Sequence, residues 1–445
     1  MIKQIKNRIN KLYFSKEELT DQDYRDSQRN LIISDTTTQM INAIIAGTFF
    51  IGYLNYIGVS QQYSAIIGAI PQLGSLLMMF SPYVFERLKN RKLLICICCF
   101  LFRFSVSTVV FVPYITDNFT WRMLLITIIY GFGYFTAGFV TPGLSNWTLD
   151  VTPMKSRGRF LAIKSMISML SVSLLTLFLG RMLDYYRLQN RTMIGFNIMF
   201  GISLGLSVLD FILLSHIHEP KISRKTIQIT LRQLILEPLK SKQFRKIILF
   251  LSIWNFGIQI SISFISIFMI TSLKLSYSFI SAANVTANLA SMVLYYLWGY
   301  LADRFSWIKV LRVSSVIIAG CYFGWSLISP ANAQVLVVIL QVLLTSSTGA
   351  FHMSTNTLQY DLAPVVGKTA YLGVASAISY VIGFTGALFG SGLYSSIQKL
   401  DSTNFNYPMD SLQILFFITG VILISVLWLI PRQHKLLEDR NRIRR

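Results

Sequence analysis

Charge is what this sequence has least of. Only 13% of its 445 residues are Asp, Glu, Lys or Arg, about half the ~25% of a water-soluble domain. Too few charges remain to cover a water-facing surface, which excludes an ordinary soluble protein. Cysteine is scarce as well. Cys96, Cys98, Cys99 and Cys321 all lie inside apolar stretches. No second pair stands at metal-ligand spacing, so neither a disulfide framework nor a zinc site is expected, and the four read as small core- or lipid-facing residues. No Gly-rich loop ending in Lys is present to cradle a nucleotide phosphate, which argues against ATP as an energy source. His216 and His218 flank Ile217 at a helix end and make a poor metal site. Clustered acids, or a nucleophile beside a base, are missing too. The chain therefore reads as no enzyme, with no cofactor or metal. Residues 1–29 are polar and lack the apolar core of a secretory leader, so no cleaved leader is expected.

Apolar residues are abundant instead: 53% are hydrophobic, 13% aromatic, and the mean hydropathy is +0.55. A bilayer span needs about 20 mainly apolar residues. Twelve stretches qualify: 30–57, 61–85, 93–115, 121–148, 159–182, 193–215, 246–273, 277–302, 307–329, 332–360, 369–396 and 410–430. The expected fold is all-α and polytopic, with twelve transmembrane helices. The connections are short except for 216–245, which is polar and basic. It divides the chain into a tail (1–29), a six-helix half (30–215), a central loop (216–245), a second half (246–430) and a basic tail (431–445).

The net charge of +21 would suit nucleic acid, but its placement argues otherwise. The bases sit between apolar runs and in the tails. With the N-terminus in the cytoplasm, only Arg122, Arg181, Arg187, Arg191, Lys274 and Lys399 fall in outer loops. Arg103 and Lys164 lie within spans, and the rest of the 40 Lys and Arg fall on the cytoplasmic side. Such a bias sets orientation. It predicts cytoplasmic N- and C-termini in a cell (inner) membrane, with the bases meeting anionic lipid. Membrane lipids are thus expected partners and nucleic acid is not; the chain is expected to be a monomer.

The halves repeat each other. Gly138, Asp150, Pro153, Leu161 and Ser165 match Gly349, Asp361, Pro364, Leu372 and Ser376 at one constant offset. Phe85-Glu86-Arg87 matches Ala302-Asp303-Arg304 at a slightly longer one. Several matches in the same order make a repeat. They predict two pseudo-symmetric six-helix halves, a plan in which a solute site lies between the halves near the midplane.

Over nearly its whole length the chain resembles the major facilitator superfamily. The motif is Gly299-Tyr-Leu-Ala-Asp303-Arg304 followed by Lys309 and Leu311, similar to that family's loop between the second and third helices of a half. The first-half copy, Pro82 to Lys92, puts Pro82 for the glycine and Glu86 for the aspartate. The resemblance implies that Glu86, Arg87, Asp303 and Arg304 form charge networks that latch one conformation at the cytoplasmic face. Asp150 and Asp361 would be the partners of the loop bases. Signatures of drug–proton antiporters and sugar porters are absent. His218-Glu219-Pro220 is a faint echo of the latter.

Polar residues inside spans are expensive in lipid and tend to face protein or a water-filled cavity. Here they recur every three or four residues, so each set shares a helix face. Span one carries Asp35, Gln39 and Asn42. Span seven carries Ser252, Asn255, Gln259, Ser263 and Ser266. Span eight carries Ser281, Asn284, Asn288, Ser291 and Tyr295. Span ten carries Gln341, Thr345, Thr348, His352, Thr355 and Gln359, with Asn356 beside them. The resembled fold lines its cavity with such helices. The expected solute-binding residues are Gln39, Asn42, Asn255, Gln259, Asn284, Asn288, Gln341, His352 and Asn356. Helix-to-helix bonding is the alternative use of such amides. Asp35 is the candidate for carrying a coupling proton, or else a structural ion pair with Arg103. Arg103 has the further choice of holding an anionic solute. Lys164 is expected to snorkel to headgroups, and Asp210 to lie near a helix end. The functional expectation is a secondary active transporter working by alternating access on a small polar neutral solute, such as a sugar or nucleoside, with protons as a coupling partner. Efflux of amphipathic drugs is the first rival. A non-transport membrane protein, either a lipid-handling enzyme or a sensor, is the other; no segment is long enough for a sensor's soluble domain.

Overall fold

The computed structural model describes Tyr13 and residues 20–85, 87–88, 90–152, 157–219, 231–363, 368–401 and 410–430. Within them every regular element is helical. In chain order the long elements are α1 (Asp21–Tyr56), α2 (beginning with Gln61–Gly74), α3 (Lys92–Ile115), α4 (Phe119–Val151), α5 (Arg157–Leu188) and α6 (Thr192–Ser215). Then come α7 (Lys242–Thr271), α8 (Tyr277–Arg304), α9 (Trp307–Ser326), α10 (Ala333–Leu362), α11 (Lys368–Asp401) and α12 (Ser411–Leu429). Ten of these twelve are long and apolar enough to cross a bilayer. The other two are α2 and α8, the second helix of each half. Helix α8 is long enough but carries its polar row. Helix α2 is interrupted: Pro71 sits inside Gln61–Gly74, a 3-10 stretch follows at Ser75–Met79, and Ser81–Phe85 ends it. Proline removes one backbone donor and crowds the preceding turn.

Helix ends lie where short polar side chains satisfy the free backbone N–H groups. Thr20 and Asp23 form a capping box that starts α1 at Asp21, ahead of the apolar run. Asn118 accepts from Thr120 and Trp121, Ser276 from Phe279, and Asp410 from Leu412. Ser241 likewise starts α7, just after a short helix at Leu231–Lys240 within the stretch expected to be a loop. Helices α1 and α7 are both broken well inside the span. In α1 the break is at Ala46, where Gly47 takes a φ of +64°, a conformation that favours glycine. In α7 it falls at Ile260 and Ser261, whose N–H groups reach only to Gly257 and Ile258.

Two compact units emerge. The first holds Met1–Ile57 and Leu73–Gln233, the second Gly58–Gln72 and Leu234–Arg445. In lipid, helix association draws on close packing and hydrogen bonds more than on the hydrophobic effect, so small residues matter where helices cross. In the first unit, Gly138 of α4 lies against Gly74: a Cβ on it would overlap the Gly74 carbonyl. Trp147, Phe85, Ile95 and Leu214 form the core at one end, and Phe50 stacks on Tyr130 at 4.4 Å elsewhere in the unit. In the second unit, Gly386 and Gly390 of α11 abut the carbonyls of Phe256 and Ile260 on α7. Gly349, the repeat partner of Gly138, packs against the Tyr295 ring of α8. All four cysteines are buried and free.

Candidate functional site

In the first unit the polar side chains of α1 divide between two directions. Ser34 and Thr37, three residues apart and so on one face, both donate to Asp210 Oδ1 of α6, at 2.6 and 3.1 Å. The other oxygen of Asp210 pairs with Arg103 of α3. This pair is sealed, with side chains 2% and 0% exposed. A turn further along, Ser107 and Ser203 bond at 2.6 Å and continue the α3–α6 seam. Asp35 points the other way, toward α5. Lys164 Nζ donates to its Oδ1 at 2.7 Å and Ser168 Oγ to its Oδ2 at 2.9 Å. Thr36 bonds Ser168 at 3.2 Å. The Lys164 and Asp35 side chains remain 18% and 23% exposed.

One sequence expectation is corrected here: the partner of Asp35 is Lys164, not Arg103. The reason is helix phase: consecutive residues turn by about 100°, so Asp35 and Ser34 serve different neighbours. Asp210 is likewise no mere helix-end acid but the buried counter-ion of Arg103.

A second network joins the ends of α3, α4 and α6. Glu219, just past α6, accepts from the backbone N–H groups of Arg91 and Lys92 at 3.1 and 3.2 Å, at the start of α3. A carboxylate there satisfies free donors and the helix dipole together. Arg91 in turn reaches Glu219 with Nε at 3.3 Å and Asp150 of α4 at 3.2 Å. His218 donates its backbone N–H to Ser27 Oγ of α1 at 3.1 Å and, through its carbonyl, accepts from Trp147 Nε1 of α4. Asp150 thus pairs with one of the loop bases, Arg91. Arg87 stacks on Tyr83, 3.8 Å from the ring centroid. Glu86 lies outside the described residues. In the second unit Asp303, Arg304 and Asp361 are exposed and make no ion pair among the described residues, so the expected pairing of Asp361 with the loop bases is not made there. Gly299 has open space where a Cβ would go, while Pro82, its first-half counterpart, is buried.

The amide rows are unequal. Gln259 is 6% exposed and packs with Asn255 against Gly383 of α11, so both serve the α7–α11 crossing. Ser252, Ser281, Ser291, Thr355 and Gln359 are buried as well. Asn284 and Asn288 of α8 are half-buried, and His352 and Asn356 of α10 are exposed, none with a side-chain hydrogen bond among the described residues. Gln341 Nε2 donates to the Met269 sulfur, at 3.9 Å. In the first unit Gln39 is exposed and Asn42 half-buried, also without side-chain partners there. Sequence reading missed Lys164, Ser168 and Glu219 as partners. A lone lysine in an apolar span and an acid directly after one were the available signals.

A largely apolar helical chain with a repeated half and polar groups held inside its spans is built as a polytopic membrane protein. The chain belongs to the Major Facilitator Superfamily, whose family profile it matches over residues 31–391 and again over 256–444. Its class is accordingly that of transporters and not of enzymes. The fold is similar to a point mutant of the nucleoside transporter NupG (TM-score 0.68, 12% identity, 90% of this chain and 98% of that one). It is also similar to a D-xylose–proton symporter (0.66, 13%, 90% and 96%). A bacterial homologue of the iron transporter ferroportin, in an inward-facing state, is a third (0.66, 12%, 93% and 98%). Identities this low establish the fold alone. No curated protein sequence matches the chain.

Proposed function

We propose that the protein is a secondary active transporter of a small polar neutral solute, of sugar or nucleoside type, working by alternating access and coupled to protons through Asp35. It sits in the inner membrane as a monomer with both termini in the cytoplasm, as the placement of Lys and Arg argues. The observation that carries the reading is the accessible Asp35–Lys164 pair on α1 and α5, the ion pair inside the spans that retains exposure. Intramembrane charges of that kind mark ion and proton pathways. The amides of α8, without side-chain partners among the described residues, and the exposed Gln39, His352 and Asn356 support an uncharged solute with many hydrogen-bonding groups. The neighbours named for a nucleoside and for D-xylose with a proton agree with that class. The networks around Arg91, with Asp150 and Glu219, fit a helix-end latch; Glu86, Arg87, Asp303, Arg304 and Asp361 are assigned to it by the repeat.

The test has two stages. Thermal stabilisation of the purified protein is measured across a panel of D-xylose, uridine, L-alanine and tetraphenylphosphonium. Stabilisation by D-xylose or uridine is expected; stabilisation by the drug cation alone overturns the solute class. In liposomes, Asp35→Asn is expected to lose accumulation driven by a pH gradient while keeping solute exchange, since the amide mimics the protonated acid. Undiminished gradient-driven uptake in that variant removes Asp35 from the coupling.

A further inference from the structure

Along α1, Ser34 and Asp35 are neighbours in sequence, yet they belong to two charge clusters with different access. At Asp210 the carboxylate is enclosed: Arg103 pairs with one oxygen, Ser34 and Thr37 donate to the other, and the two charged side chains are 2% and 0% exposed. At Asp35 the carboxylate has Lys164 on one oxygen and Ser168 on the other, and both charged side chains keep some exposure. An ammonium carries three N–H donors. Among the described residues the one acceptor of Lys164 is Asp35 Oδ1, so two donors have no protein partner there. Among the described residues Arg103 of α3 also feels the Asp35 charge, and it is already matched to Asp210 of α6. Lys164 is therefore the counter-ion of Asp35, and the reverse holds.

We propose that Lys164 is a solute-binding residue, held in reserve by Asp35 and released to an acceptor oxygen of the solute when Asp35 takes up a proton. This rests on the reading of Asp35 as the proton carrier. A cation inside a membrane is not left without a partner. When a proton from the aqueous phase adds to the Asp35 carboxylate, the acid that forms no longer balances the ammonium. A solute hydroxyl or carbonyl then offers the replacement, through a charge-assisted hydrogen bond. Run backwards, a solute that draws Lys164 away leaves a bare carboxylate unless a proton arrives with it. Proton and solute thus enter together, and when the proton leaves, the Lys164–Asp35 pair re-forms and the solute oxygen loses its donor. Neither Arg103 nor the amides of the second unit can link the two events, because the first is locked to Asp210 and the second carry no charge.

Amine acylation of the full-length protein by acetic anhydride, read peptide by peptide by mass spectrometry, tests this, with D-xylose and uridine as the probes. Wild-type Lys164 is expected to react slowly. In Asp35→Asn it should react about tenfold faster, and the stabilising solute should restore protection. Lys164→Gln should bind that solute about tenfold more weakly, the loss of one charge-assisted bond, with its binding no longer strengthened by acid. Asp35→Asn/Lys164→Gln, which leaves no unpaired charge, keeps the test open if the single variant misfolds, and it should show the same weak binding. Equal reactivity of Lys164 in wild type and Asp35→Asn, or solute protection absent in both, overturns the inference. If wild type is stabilised by a probe yet Lys164→Gln binds it normally, the inference fails and the transport reading stands. If neither probe stabilises wild type, the transport reading fails first and takes this one with it.

Discussion

The buried Arg103–Asp210 pair makes a quantitative prediction. Asp210→Ala leaves the Arg103 guanidinium, 2% exposed, without its counter-ion between α3, α1 and α6. Breaking a buried pair by removing one partner costs about 3–5 kcal/mol. Ser34 loses its acceptor as well, and a buried hydroxyl without a bond adds about 1 kcal/mol; Thr37 is spared because it also donates to the Ser34 carbonyl. Replacing the pair together, as Arg103→Met/Asp210→Leu, removes both desolvated charges at nearly constant volume. That variant is expected within about 1–2 kcal/mol of wild type, since a well-packed apolar substitute is often neutral or stabilising. The coupling energy from the cycle of Asp210→Leu, Arg103→Met and the paired replacement should then exceed about 2 kcal/mol, at the upper end of the usual range for residues in contact. Reversible unfolding in mixed detergent micelles, with helicity followed against denaturant fraction, measures each corner. By contrast Asp35→Asn, at a pair that keeps some exposure, should cost clearly less than Asp210→Ala, because the ammonium left behind can still be solvated. Equal costs for Asp210→Ala and Asp35→Asn would refute the argument that burial separates a clamp from a working pair.

Two further predictions follow from the packing and the helix-end network. Gly138→Ala drives a methyl group into the Gly74 carbonyl and should destabilise the first unit by about 1–3 kcal/mol, whereas Gly131→Ala, with nothing within 4 Å of the new carbon, should gain a few tenths to about 1 kcal/mol from helix propensity; equal melting temperatures for the two would count against the crossing. Asp150→Asn or Glu219→Gln releases Arg91 without touching solute, so turnover should change at least about fivefold while affinity stays within about twofold, because such a network biases conformations. Asp303→Asn, unpaired among the described residues, should change turnover less; parallel loss of affinity and turnover in Glu219→Gln would argue against a latch.

Much of this protein was legible because hydropathy is a local property. A run of apolar residues demands lipid wherever its neighbours are, so twelve spans could be counted without knowing any contact. Even α8, whose polar row lowers its hydropathy, was apolar enough over 277–302 to be counted among them. The rows of Asn, Gln, Ser and Thr were equally plain, since helical spacing needs only the numbering. Which of them pack and which stay open was not plain. Gln259 and Asn284 look alike in sequence, but a glycine more than a hundred residues away, Gly383, lets α11 close over the first and nothing comparable covers the second.

By itself, then, the sequence determined the membrane-spanning helices, their repeat and the inventory of charges inside them. Tertiary structure alone decided which charges meet. Asp35 had two cations to choose from, Arg103 and Lys164, and a rotation of α1 by one residue exchanges them. That rotation is set by how Ser34, Thr37, Phe50 and Tyr53 seat against α3, α4 and α6, a sum of packing terms from distant parts of the chain. Ion pairing acts over a few ångströms in space, and sequence separation carries no record of that distance.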